Sequence, residues 1–259
     1  MERDYSAAGR PGDVYFFATC LVDLFCPEAG LDAIQLLERE GIRVHFPEDQ
    51  TCCGQPAYTS GYADEARQVA RVQLGLFPND WPVIVPSGSC AGMMRHHYPK
   101  LFAEEPALRA QAEALSERVF ELTEFFVKVL KVNWKGSGRP TKVALHTSCS
   151  ARREMGTHLH ARELLGRLGN VELLNHSHES ECCGFGGTFA VRQPDISAAM
   201  AGDKADALKE TGADAFLSAD GGCLMNIDGT LAKRRDGFRG QHLASFLWRN
   251  TERSEGDAA

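Results

Sequence analysis

A secretory leader, a membrane-spanning run and a surplus of positive charge are all missing from this sequence, and each absence narrows its function. The start, Met1-Glu2-Arg3-Asp4-Tyr5-Ser6, does not have the charged-then-apolar pattern of a signal peptide. No run of 18 uninterrupted apolar residues is present. The nearest approach, residues 119–132, is broken by charges at helical spacing. A formal net charge of −7 argues against a nucleic-acid-binding surface. A dinucleotide fingerprint is missing too, because Gly184-Phe185-Gly186-Gly187-Thr188-Phe189 has Phe where the motif needs its last glycine. There is no phosphate-cradling P-loop and no Cys-x-x-Cys knuckle. What is left is a chain of 259 residues, 43% apolar and 24% charged, with the balance expected of a soluble cytoplasmic protein.

Against these absences stand nine cysteines. In a reducing compartment structural disulfides are disfavoured, so clustered cysteines point to metal ligation or redox chemistry. Their arrangement repeats. Val14-Tyr15-Phe16-Phe17-Ala18-Thr19-Cys20 matches Val143-Ala144-Leu145-His146-Thr147-Ser148-Cys149 at an offset of 129. Cys52-Cys53-Gly54 matches Cys182-Cys183-Gly184 at an offset of 130. Val83-Ile84-Val85-Pro86-Ser87-Gly88-Ser89-Cys90 matches residues 216–223, ending in Gly221-Gly222-Cys223, at an offset of 133. Three blocks in one order with a nearly constant offset mark a duplicated half.

Each half reads as alternating strand and helix. The first half predicts strands at 14–18, 42–46 and 83–85, helices at 27–41 and 62–77, and further helices from Cys90 to about residue 132. The second predicts strands at 143–147, 171–174 and 215–218, with helices near 158–169 and 195–211. The expected fold is α/β: two pseudo-symmetric βα-repeat halves, residues 1–134 and 141–259, each with a small parallel sheet. The Gly- and Pro-rich stretch 135–140 is the natural linker. Cys20, Cys52–Cys53 and Cys90 each follow a predicted strand, as do Cys149, Cys182–Cys183 and Cys223. Strand C-termini of a parallel sheet share one edge, so each set of four converges there.

Four thiolates per half are a soft donor set that suits an iron–sulfur cluster or zinc. Adjacent cysteines diverge from their shared peptide and sit more readily around a multi-iron cluster than around one tetrahedral ion. The glycines beside Cys183 and Cys223 either serve tight turns or let backbone N–H groups approach anionic sulfur.

The doubled Cys-Cys-Gly, with a cysteine about 32 residues upstream and another 37 or 40 downstream, resembles the CCG cysteine-rich domain family. That family includes a subunit of heterodisulfide reductase and the iron–sulfur subunit of glycolate oxidase. Residues 19–25, 51–57, 87–93, 181–189 and 219–223 are most similar to its lactate-utilisation branch, over about residues 12 to 248. The resemblance implies one or two iron–sulfur clusters per chain, of the [4Fe–4S] type. Their ligands would be Cys20, Cys52, Cys53, Cys90, Cys149, Cys182, Cys183 and Cys223. It also implies two partner proteins, one a ferredoxin-like iron–sulfur subunit, in oxidising L-lactate to pyruvate. The fuller family motif ends in Cys-x-x-Cys, but Met93 and Asn226 stand at the last position here. Four thiolates per half match a cubane cluster and disfavour the five-cysteine non-cubane cluster with its disulfide-cleaving chemistry.

Cys26 has no counterpart, because Met155 takes its place in the second half, and it reads as a free thiol. His146, three residues before Cys149, is placed to hydrogen-bond a sulfur, to shuttle a proton, or to rest as a satisfied strand-end histidine. His96, His97, His176, His178 and His242 receive no catalytic assignment, and His242 aligns with Glu121. Two other functions fit the residues less well: a thiol–disulfide reductase subunit, and a zinc-stabilised binding module.

Overall fold

The computed structural model describes residue 5 and residues 9–253. Strands β1 (Asp13–Phe16), β2 (Arg43–His45), β3 (Val83–Val85) and β4 (Val119–Glu121) form a four-stranded sheet in the order β2-β1-β3-β4. All its pairings are parallel, with Val14 opposite Val44, Phe16 opposite Ile84 and Ile84 opposite Phe120. After β5 (Trp134–Gly136) the arrangement recurs. Strands β6 (Thr141–Leu145), β7 (Val171–Leu174), β8 (Ala215–Ser218) and β9 (Gly240–His242) form a second parallel sheet in the order β7-β6-β8-β9. β10 (Thr251–Arg253) pairs antiparallel with β5.

The central strands are short apolar runs, Val83-Ile84-Val85 among them, buried on both faces as parallel strands under helices must be. Their helices start where proline can take the first turn, at Pro27, Pro106 and Pro194. The helix Pro27–Arg39 buries Ala29, Ala33, Leu36 and Leu37 and leaves Leu31 exposed.

Four strands lie where the hydrophobic pattern does not predict them: β5, which runs into the stretch read as a linker, its partner β10, and β4 and β9. That pattern carries helix through 119–121, where β4 lies, and assigns nothing at 240–242, where β9 lies. Val119-Phe120-Glu121 runs straight into the helical turns Leu122–Glu124 and Phe125–Val129, so no polar break announces the change. Gly240-Gln241-His242 has no apolar run at all. The alignment of His242 with Glu121 nevertheless marks equivalent places. Each ends the fourth strand of its sheet and caps the helix that follows. Glu121 accepts from Thr123 N–H and Glu124 N–H, and His242 Nδ1 accepts from Ala244 N–H.

One of the core clusters is shared by both halves. Phe16, Leu36, Phe125 and Phe126 pack in the same cluster as Leu145, Leu165, Leu217 and Leu247. The helix Pro27–Arg39 lies against the helix Leu243–Asn250, and Arg39 reaches from its end to Thr251 with bonds of 2.7 and 2.8 Å.

Candidate functional site

In the first half, Cys20 opens the short helix Cys20–Phe25 directly beyond β1, behind a Thr19 cap whose φ is 70°. Cys52 and Cys53 end the loop after β2. Gly54, at φ 85°, takes the left-handed conformation that turns the chain into the helix Gln55–Thr59. That turn aims Gly54 N–H at Cys52 Sγ, 3.4 Å away. Cys90 rides on the helix Gly88–Gly92 beyond β3. Cys52 receives hydrogen bonds from Cys20, then Cys53, which hold its thiol well below the ordinary range. The same bond to Cys52 pushes Cys20 up, with burial adding to it. Cys53 is pushed up by its bonds to Cys52 and then Cys90, at 1% exposure. The four sulfurs thus act as one group.

The second half repeats this geometry. Cys149 opens the helical stretch that continues as Ala151–Met155. Gly184, at φ 82°, donates its N–H to Cys182 Sγ at 3.3 Å. Hydrogen bonds from Cys149 and then Cys183 hold Cys182 at about 2. Cys183 and Cys223 sulfurs lie 3.1 Å apart. All nine cysteines are free thiols. A set of sulfurs, one of them accepting from a backbone N–H, fits a soft, thiophilic group such as an iron–sulfur cluster or zinc.

The two sets differ in their surroundings. His146 is fully buried, and one ring nitrogen lies within 4.8 Å of the Cys183 and Cys223 sulfurs. Burial holds its imidazole down at about 3, hence neutral. Its counterpart in the first half is Phe17. Lys204, 1% exposed, donates to the His178 carbonyl, and its charge faces Cys183, Cys223 and Cys182. Sequence reading missed Lys204. Its signal was position: it stands on the apolar face of the helix Pro194–Lys209 with Ala201, Ala205 and Leu208.

Other residues singled out by the sequence lie outside these groups. Cys26 sets its thiol against the Leu21 carbonyl at 3.7 Å. His96 and His97 are held by Glu154, and His97 also by Tyr58. His176 contacts the Leu145 and Ser177 carbonyls. His178 pairs with Glu181, and His242 with the Ala219 carbonyl. Met93 is fully buried in the core, and Asn226 donates to the Cys183 carbonyl at 2.8 Å. The two positions where the longer motif has a fifth cysteine therefore have packing roles.

The cysteine-bearing edges meet. Ser87 and Asp220, which the duplication makes equivalent, hydrogen-bond to each other at 2.7 Å, and Ser89 Oγ donates to the same carboxylate at 2.6 Å. Ser60 and Thr188 hydroxyls lie 2.5 Å apart, and Gln55 reaches Ser150 at 3.4 Å.

Comparison with known proteins agrees with the duplication. The model of a family described as cysteine-rich domain, CCG, matches twice, at residues 14–95 and 143–228. Lactate utilization protein A of an Exiguobacterium species is 42% identical over 237 residues, 91% of this chain and 96% of that protein. Lactate utilization protein A of Bacillus subtilis is 41% identical over 234 residues, 90% and 98% of the two chains. Among solved structures, a hypothetical protein from Helicobacter pylori superposes with a TM-score of 0.68 at 12% identity. That match covers 92% of this chain and 49% of the solved one, so this chain spans about half its length and shares its fold.

Proposed function

The chain belongs to the CCG cysteine-rich domain family and, within it, to the lactate utilization protein A group, and from that premise we propose that it is the iron–sulfur electron-transfer subunit of a system oxidising L-lactate to pyruvate. The observation that carries this reading is the gathering of thiols into two like groups, each with one sulfur that accepts from a neighbouring glycine N–H. In this reading residues 1–134 and 141–259 are two halves joined by 135–140. Cys20, Cys52, Cys53 and Cys90 hold one [4Fe–4S] cluster, and Cys149, Cys182, Cys183 and Cys223 hold a second. Bound there, such a cluster supplies reversible one-electron transfer. The chain's own groups fix the sulfurs at the sheet edges, exclude water around Cys53 and Cys183, and place the Lys204 cation near the second set.

Oxidising a 2-hydroxy acid removes two electrons and two protons, normally as a hydride passed to flavin or nicotinamide. The sequence has no dinucleotide fingerprint, so substrate chemistry is assigned to a complex with a ferredoxin-like iron–sulfur subunit and a third subunit. The setting is the cytoplasm, and no helix among the described residues is long and apolar enough to cross a membrane. Disulfide reduction is the weaker reading because Met93 and Asn226 stand where a fifth thiolate would be needed.

The test is an anaerobic assay with L-lactate and an artificial electron acceptor. The isolated protein should give no useful rate, addition of the two partner subunits should restore it, and replacing Cys182 and Cys183 together should abolish it. Robust lactate oxidation by the chain alone, or an unaffected rate in the double variant, contradicts the proposal.

A further inference from the structure

Beside the second cysteine set, at the junction of the halves, lies a small cavity of about 10 Å³. Glu121 and Thr123 line it from the first half, and His146, Thr147, Thr157 and Asp220 from the second. Its walls hold an unusual concentration of unpartnered polar atoms. Glu121 Oε1, both ring nitrogens of His146, Thr147 Oγ1 and Thr157 Oγ1 are buried without a hydrogen-bond partner among the described residues. Glu121 and His146 are 0% exposed, Thr157 4% and Thr147 7%. Buried polar groups are almost always satisfied, by protein or by ordered water. A water needs about 10–15 Å³ of such space and two to four polar partners, and this cavity offers both.

We infer that this cavity is a binding site for a single water molecule, which joins Glu121 of the first half to His146 of the second, beside the Cys183 and Cys223 sulfurs. The hydroxyls of Thr147 and Thr157 complete its partners. Glu121 is fixed for this task through its other oxygen, which accepts from Thr123 N–H at 2.8 Å and Glu124 N–H at 3.1 Å. His146 has no protein partner to orient its ring, so the water supplies the one hydrogen bond that fixes its tautomer. The result is a link from the cap of the first half's last helix to His146, whose ring lies beside the Cys183 and Cys223 sulfurs. This site does not depend on what the sulfurs bind.

The sign of a stability change separates a wet site from a dry one. Thr157→Val and Thr147→Val keep side-chain shape and remove one hydroxyl each. If the hydroxyl bonds a water, its loss should lower the thermal midpoint of the anaerobically purified protein, by about 2–4 °C for a chain of this size. If the cavity is dry, removing an unsatisfied hydroxyl should raise the midpoint instead. A crystal structure resolving ordered solvent should show one water within hydrogen-bond distance of Glu121 Oε1 and a His146 nitrogen. An unchanged or raised midpoint in both variants, or no solvent density in the cavity, overturns the inference.

Discussion

Glu121 places a carboxyl group in the interior, at the edge of the cavity between the halves. It is fully buried, and burial pushes its carboxyl up to about 8, against the lowering effect of its bonds from Thr123 and Glu124. Between about pH 4.5 and 8 the unfolded chain gives up this proton while the folded chain keeps it. The folded state then binds more protons, and stability must fall as pH rises through that window. Glu121→Gln should remove that dependence. Relative to its stability at pH 5, the variant should gain on the parent by up to roughly 4 kcal/mol by pH 9. Urea unfolding of both proteins across this range measures it, and a difference that does not change with pH would contradict the assignment. At this scale the sequence was half legible. The eight paired cysteines were visible because the duplication prints each of them twice. Lys204 and Glu121 were not, because a buried charge is written with the same letter as an exposed one.

Helices and turns bring the cysteines together through close approaches that only small residues permit. A side chain on Gly88 would place its Cβ 2.5 Å from Ala151 Cβ and 2.8 Å from Thr157 Cγ2, at the seam between the halves. Gly88→Ala should therefore cost about 1–3 kcal/mol of stability through overpacking. Gly166→Ala is the control: it lies in the helix Thr157–Arg167 with nothing within 4 Å of the added carbon. That change should be neutral or stabilising by up to about 1 kcal/mol. Equal losses in both variants would show that the seam is not tightly packed there. The strands 171–174 and 215–218 stand where the hydrophobic pattern put them. β4 and β9 escaped it because Val119-Phe120-Glu121 runs without a break into helix and Gly240-Gln241-His242 carries no apolar run.

The whole molecule is a duplicated unit whose copies have diverged at their centres. Each sheet has the same strand order, offset by one repeat, and the copies touch through the equivalent residues Ser87 and Asp220. Divergence shows in the pairs Phe17 and His146, and Met93 and Asn226, and in the thiol of Cys26. The parallel topology was legible because strands alternating with helices leave little other choice. The core cluster shared by the halves was not, since packing partners across a junction leave no periodic trace. The central claim, that each half holds its own iron–sulfur cluster on four thiolates, is tested most directly by iron and acid-labile sulfide analysis. It should be run on anaerobically purified parent, Cys53→Ser, Cys183→Ser and Cys26→Ser proteins. The account predicts iron and sulfide in equal amounts, about four of each per loaded half. About half should be lost in each of the first two variants, with little change in the third. Zinc without sulfide in the parent, or full loading in both Cys53→Ser and Cys183→Ser, would contradict it.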